Sequence, residues 1–104
     1  MSYLPYLTRY GFVFNEENME TRVAVMGIVV ENTNSIEVLN ALLHEYGSYI
    51  IGRMGIPYRE KNINIISIAI DAPQDTISTL AGRIGKLEGI GVKTAYSNKI
   101  FKDE

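Results

Sequence analysis

Cysteine is absent from the 104 residues, and histidine occurs once, at His44. The first absence removes disulfides, thiolate metal sites and thiol catalysis together, and leaves the redox compartment undetermined. The second means that an imidazole-rich metal centre could form only by pooling subunits, so no metal site is expected and the residues name no cofactor. Blocks of like charge are missing as well: Lys and Arg number 10 against 12 acids, for a formal net charge of -2. Such a chain has no electrostatic footprint for direct nucleic-acid binding. Nor does any apolar stretch approach the ~20 residues of a membrane-spanning helix, and no basic region followed by a continuous apolar core opens the chain. The expectation is a soluble, cytoplasmic protein with no membrane partner.

What is present is apolar and strand-forming. Hydrophobic residues make up 46% of the chain, enough for one modest core and one domain. The run Glu20 to Glu31 (ETRVAVMGIVVE) reads as a buried strand. Polar residues Asn32 to Ser35 follow, with Asn34 or Ser35 placed to cap a helix that carries Ile36, Leu39, Leu43 and Tyr46 on one face and stops at Gly47. Tyr49 to Tyr58 makes a second strand, Arg59 to Asn62 a polar turn, and Ile63 to Ile70 a third strand. Ala72 to Asp75 opens a second helix bearing Ile77, Leu80, Ile84 and Leu87, and Gly89 to Ser97 closes with a fourth strand.

The order βαββαβ also shows a weak internal duplication, since SIEVLNALLHEYGSYIIG and TISTLAGRIGKLEGIGV share an Ile-x-x-Leu helix, a glycine and a strand. Right-handed crossovers on both halves predict an α+β, ferredoxin-like βαββαβ sandwich: a four-stranded antiparallel sheet with two helices on one face. The domain spans 19–98, with an N-terminal extension over 1–18 and a C-terminal tail over 99–104. Tyr10, Phe12 and Phe14 alternate in the extension, which reads either as an extra strand over the sheet or as a disordered arm ahead of a working start at Met19.

Both faces of the first strand are apolar: Val23, Val25 and Val29 point one way, Ala24, Met26, Ile28 and Val30 the other. The third strand repeats this with Ile63 and Ile65 against Ile66, Ile68 and Ile70. Two helices cover one face of such a sheet, and an uncovered antiparallel face normally reads polar at alternate positions. A second subunit or the N-terminal extension must cover the other, and a homo-oligomer through the sheet is the favoured reading.

The segments Gly52-Arg53-Met54-Gly55-Ile56-Pro57 and Gly85-Lys86-Leu87-x-Gly89-x-Gly91-Val92-Lys93 carry a resemblance over residues 20 to 98 to the family of iron-only hydrogenase system regulators. That family is similar in fold to ACT domains and to the C-terminal domain of nickel-responsive repressors, ferredoxin-like modules that oligomerise and bind small effectors. The resemblance implies a non-enzymatic regulator, a small-molecule effector and a protein partner within the hydrogenase system. By similarity to ACT domains the effector site falls on the loop after the first strand, here Glu31 to Ser35, giving Asn32, Thr33, Asn34 and Ser35 as candidate ligand-binding residues. The loop lacks the glycine such sites often use, Glu31 opposes an anion, and helix capping explains the same residues structurally.

Other features have a structural reading beside a functional one. Gly52, Gly55 and Pro57 mark a bulged edge strand, on which Arg53 is a candidate anion ligand. Gly82 and Gly85 inside the second helix suggest close packing. Lys86 and Lys93 read as solvated. The nickel-repressor comparison does not extend to metal binding, because those sites need several histidines and a cysteine. The alternative reading is a small ferredoxin-fold oligomeric enzyme with an inter-subunit pocket, using Tyr46, Tyr49, Tyr58, His44 or Arg53. No nucleophile-base pair stands out, and Asp71 and Asp75 read as a strand end and a helix cap, so no catalytic residues are assigned.

Overall fold

The computed structural model describes residues 20–102. Expectations placed on the extension over 1–18 and on Met19 lie outside the described residues. Strand β1 (Glu20–Val30) is followed by a 3-10 turn at Thr33–Ser35, helix α1 (Ile36–Glu45), a second 3-10 turn at Gly47–Tyr49 and strand β2 (Ile50–Tyr58). A turn at Arg59–Lys61 leads into strand β3 (Ile63–Ala72), helix α2 (Gln74–Gly85), strand β4 (Ile90–Tyr96) and the short β5 (Phe101–Lys102). The main sheet runs β2-β3-β1-β4, with every adjacent pair antiparallel. This is the ferredoxin-like order expected.

Period-2 alternation decides which residues enter the core. On β1, Ala24, Met26, Ile28 and Val30 are buried; on β3, Ile66, Ile68, Ile70 and Ala72 are. The helices lie over that face at a period of 3.6, α1 contributing Leu39, Leu42 and Leu43 and α2 contributing Ile77, Leu80 and Ile84. A single cluster therefore sits between two helices and one side of the sheet. Arg22 clasps its margin: its guanidinium donates to the Gln74 side chain at 2.7 Å and to the Ser97 carbonyl at 2.8 Å. The same group lies 4.6 Å from the centre of the Tyr96 ring, so the start of β1, the start of α2 and the end of β4 are tied together.

Several boundaries differ from the sequence reading for local reasons. Strand β2 begins at Ile50 because Gly47–Tyr49 turn as a 3-10 segment. The hairpin turn closes through Asn62 at φ 57°, a left-handed conformation that asparagine tolerates. Neither predicted side-chain cap forms at α1: Asn32 accepts from the Asn34 amide, while Ser35 makes no capping bond. At α2 the residue before the helix is Pro73, and Asp75 lies in the first turn, where it complements the helix dipole instead of capping. Within the predicted tail, Phe101 and Lys102 pair with Thr21 and Glu20 on the extended end of β1.

The edge-strand reading of β2 holds. Among the described residues only β3 flanks it, and the register slips between Ile50 and Gly52, which makes a bulge at Ile51. The packing expected at Gly82 does not. A methyl group there would meet nothing within 4 Å, and one at Gly85 would meet only Val92 at ordinary contact distance, 3.6 Å. Gly82→Ala is therefore expected to raise unfolding stability by about 1 kcal/mol in urea titrations, the helix-propensity difference with no steric offset.

Candidate functional site

The β1-α1 loop is the first candidate, and most of its polar groups are already used within the chain. The Glu31 amide donates to the Gly89 carbonyl at 2.7 Å and the Ser35 amide to the Asn32 carbonyl at 3.0 Å. The Asn34 amide donates to Asn32 Oδ1 at 2.9 Å. The Ser35 hydroxyl, on a buried residue, donates to the Glu88 carbonyl at 2.7 Å. The loop is thus stitched to the turn between α2 and β4. Gly89 lies at the centre of that seam: its φ is +72°, and a Cβ on it would stand 2.5 Å from Asn32 Cβ and 2.9 Å from the Asn32 amide nitrogen. Thr33 and Asn34 remain exposed at the surface of the loop. Ser35→Ala removes a part-buried hydrogen bond and leaves the Glu88 carbonyl without that donor, so a loss of about 1 to 2 kcal/mol is expected in chemical denaturation.

Arg53 stands elsewhere. It pairs with Ile68, which pairs with Met26 in the middle of β1, whereas the loop follows Val30. Four residues along the strand and two strands across separate them, about 13 Å by about 10 Å. Its guanidinium donates to Asn40 Oδ1 on α1 at 2.7 Å. Asn32, Thr33, Asn34 and Ser35 are therefore brought together as one loop, and Arg53 does not join them.

The residues considered for acid-base work are dispersed or occupied. Tyr46 accepts from Arg83 at 3.1 Å, and Arg83 also pairs with Glu45 at 2.9 Å, a brace between the C-terminal ends of the two helices. Glu45, and then Tyr46, hold the Arg83 guanidinium above its ordinary range. His44 is exposed in the last turn of α1. Tyr49 lies near Tyr46, ring centres 6.4 Å apart. Tyr58, opposite Ile63, is on the far side of the sheet. Among the described residues no three of His, Asp and Glu gather as metal ligands, and no helix is long and apolar enough to cross a membrane.

The second candidate is the face of the sheet that the helices leave open. Strand register lays its side chains out in rows across β2, β3, β1 and β4: Ile56, Ile65, Val29 and Gly91; then Met54, Ser67, Gly27 and Lys93; then Gly52, Ala69, Val25 and Ala95. The large members are well exposed, at 49% for Ile56, 40% for Ile65, 39% for Val29, 59% for Met54 and 46% for Val25. Lys93 and Asp71 supply the charges of this surface. The glycines are equally informative. Among the described residues, Cβ atoms at Gly27, Gly52 and Gly91 would meet nothing within 4 Å, so packing within that part of the chain does not require them.

Residues 22–94 match the TM1266-like family, described as "Iron-only hydrogenase system regulator, putative". The chain belongs to this family. Among solved structures it is similar to the uncharacterized protein TM1266 from Thermotoga maritima, with 35% identity and a TM-score of 0.71 over 73% of this chain and 96% of that one. No curated protein matches. This membership is what the glycine-rich segments around Arg53 and Gly89 imply, and the family's label supports a regulatory role in the iron-only hydrogenase system. For one signature residue the structure supplies a reason. Gly89 is required by its backbone angle and by Asn32, 57 residues away in sequence and touching in space, a contact that no local pattern reveals.

Proposed function

We propose that this family member is a non-enzymatic, ACT-like regulatory module that acts as a homo-oligomer and whose assembly is biased by a small-molecule effector at a subunit interface. The observation that carries this reading is the open, apolar sheet face, with five exposed aliphatic side chains on adjoining strands. Left bare on a monomer, a face of this size and character is an aggregation hazard; buried between copies, it is a switchable joint. The effector's place in this scheme is the loop Asn32–Thr33–Asn34–Ser35, where exposed Thr33 and Asn34 face solvent and Asn32 and Ser35 hold the shape. Arg53, exposed on the β2 edge, is a separate anion contact that a neighbouring subunit could complete.

The regulatory logic is thermodynamic. A ligand shifts an equilibrium between assemblies only by its difference in affinity for them, so an effector that bridges two subunits favours the bridged state. The hydrogenase-system partner then reads the assembly. Native mass spectrometry of the purified chain, taken gently and again after denaturation, tests this directly. An oligomer with a stoichiometric added mass is the expected result. A clean oligomer reduces the protein to a self-associating scaffold, and a monomer removes the basis of the proposal.

A further inference from the structure

We infer that the open sheet face docks onto the same face of a second copy about a two-fold axis lying across the strands, between the Ile56–Ile65–Val29–Gly91 row and the Met54–Ser67–Gly27–Lys93 row. This rests on the self-association reading above and specifies its partner and geometry. Under that axis each row lies over the other. Val29 faces Gly27 of the second copy, Ile65 faces Ser67, and Lys93 faces Gly91; one step outward, Tyr58 faces Gly52 and Ile63 faces Ala69. Bulk meets absence at each of these five positions; of the other exposed side chains, Ile56 meets Met54 at the rim, and Val25 falls opposite Glu31, just past the end of β1. A two-fold axis parallel to the strands, between β3 and β1, sets Ile65 on Val29 and Ser67 on Gly27, bulk on bulk and hollow on hollow at the centre, and matches bulk to hollow only at Ile56 on Gly91 and Val25 on Ala69.

The glycines give this arrangement its independent support. Gly27 and Gly52 weaken the strands that carry them, their φ values are not positive, and among the described residues no atom approaches where their side chains would be. A partner surface that comes close to the backbone accounts for both. Extent agrees as well: four strands about 4.8 Å apart and eight residues of about 3.3 Å cover roughly 500 Å² of plane per copy, or roughly 1,000 Å² for a pair. That reaches the lower bound of specific interfaces. Packed sheets keep their strands within about 30° of alignment, so the facing positions on β1 and β3 stay in contact through the twist.

Exchange variants test the geometry in the full chain by sedimentation equilibrium. Gly27→Val fills the hollow and is expected to raise the dimer dissociation constant by roughly tenfold or more. Combining it with Val29→Gly restores the match with the roles reversed, and the dissociation constant should return toward that of the parent. A parallel pair, Ile65→Ser with Ser67→Ile, provides the same comparison should Gly27→Val fail to fold, and Val38→Asp on exposed α1 should leave association unchanged. Recovery in either double variant supports the inference. A folded double variant no better than its single overturns this geometry, as does undiminished association in the singles, and both outcomes leave self-association standing. A monomeric parent overturns both readings, and association appearing only once residues 1–18 are removed would give the face to that segment instead.

Discussion

Gly89→Ala should destabilise the protein by roughly 3 kcal/mol, the sum of a side chain forced to a left-handed backbone angle and an overlap that the neighbouring backbone must relieve. The geometry leaves little room for escape. The new methyl group would stand 2.5 Å from Asn32 Cβ and 2.9 Å from the Asn32 amide nitrogen, and the Glu31 amide is bonded to the Gly89 carbonyl at 2.7 Å. Moving the chain apart at this point loosens that bond and the Ser35–Glu88 bond with it. For a domain of this size the loss corresponds to a fall in Tm of roughly 10 to 20 °C, measurable by circular dichroism. Gly89→Asn separates the two causes. Asparagine tolerates the backbone angle but retains the overlap, so it should recover only part of the loss. Stability equal to the parent in both variants would mean that the seam between the loop and the turn is not closed as described.

The second large effect divides one strand by its two faces. Ile68→Ala is expected to cost about 3 to 4 kcal/mol, because the side chain is fully buried in the core and its removal combines lost burial with a cavity. Ile65→Ala, three residues earlier and 40% exposed on the other face, should cost less than about 1 kcal/mol in unfolding at low protein concentration. Its effect should instead grow with concentration, since a residue buried only between copies contributes to stability by mass action. Urea midpoints for both variants, measured at two widely separated protein concentrations, decide the matter. Concentration-independent behaviour of Ile65→Ala would assign that side chain no part in assembly.

The architecture was legible because its signals are periodic. Alternation in VAVMGIVV and INIISIAI places residues on two faces regardless of what lies beyond, and the apolar character of both faces was itself the sign that one lacked a cover. Gly52, Gly55 and Pro57 announced the edge strand through backbone chemistry that belongs to those residues alone. The loop was less legible. Ser35 has the composition of a helix cap, yet its hydroxyl bonds to Glu88, 53 residues on, and local propensity carries no information about that partner. Arg83 and Tyr46 likewise find each other across 37 residues. Gly82 shows the converse error: a glycine inside a periodic helix suggested a close neighbour, and among the described residues there is none. Arg53, a candidate ligand on the edge strand, lies apart from the loop because strand register fixes position along the sheet independently of residue type.

The sheet order also governs how the chain must be made. Strand β1 is made before the other strands of the sheet but lies between β3 and β4, so its main pairing partners begin at Ile63 and Ile90. At a synthesis rate of about 5 to 20 residues per second, a strand apolar on both faces waits seconds for its first neighbour and longer for its second. The final closure, Glu31 onto Gly89, comes only when almost the whole domain has been translated. Until then the surface that would later join two finished copies is open to any nascent chain nearby, and copies made on one messenger are the nearest of all.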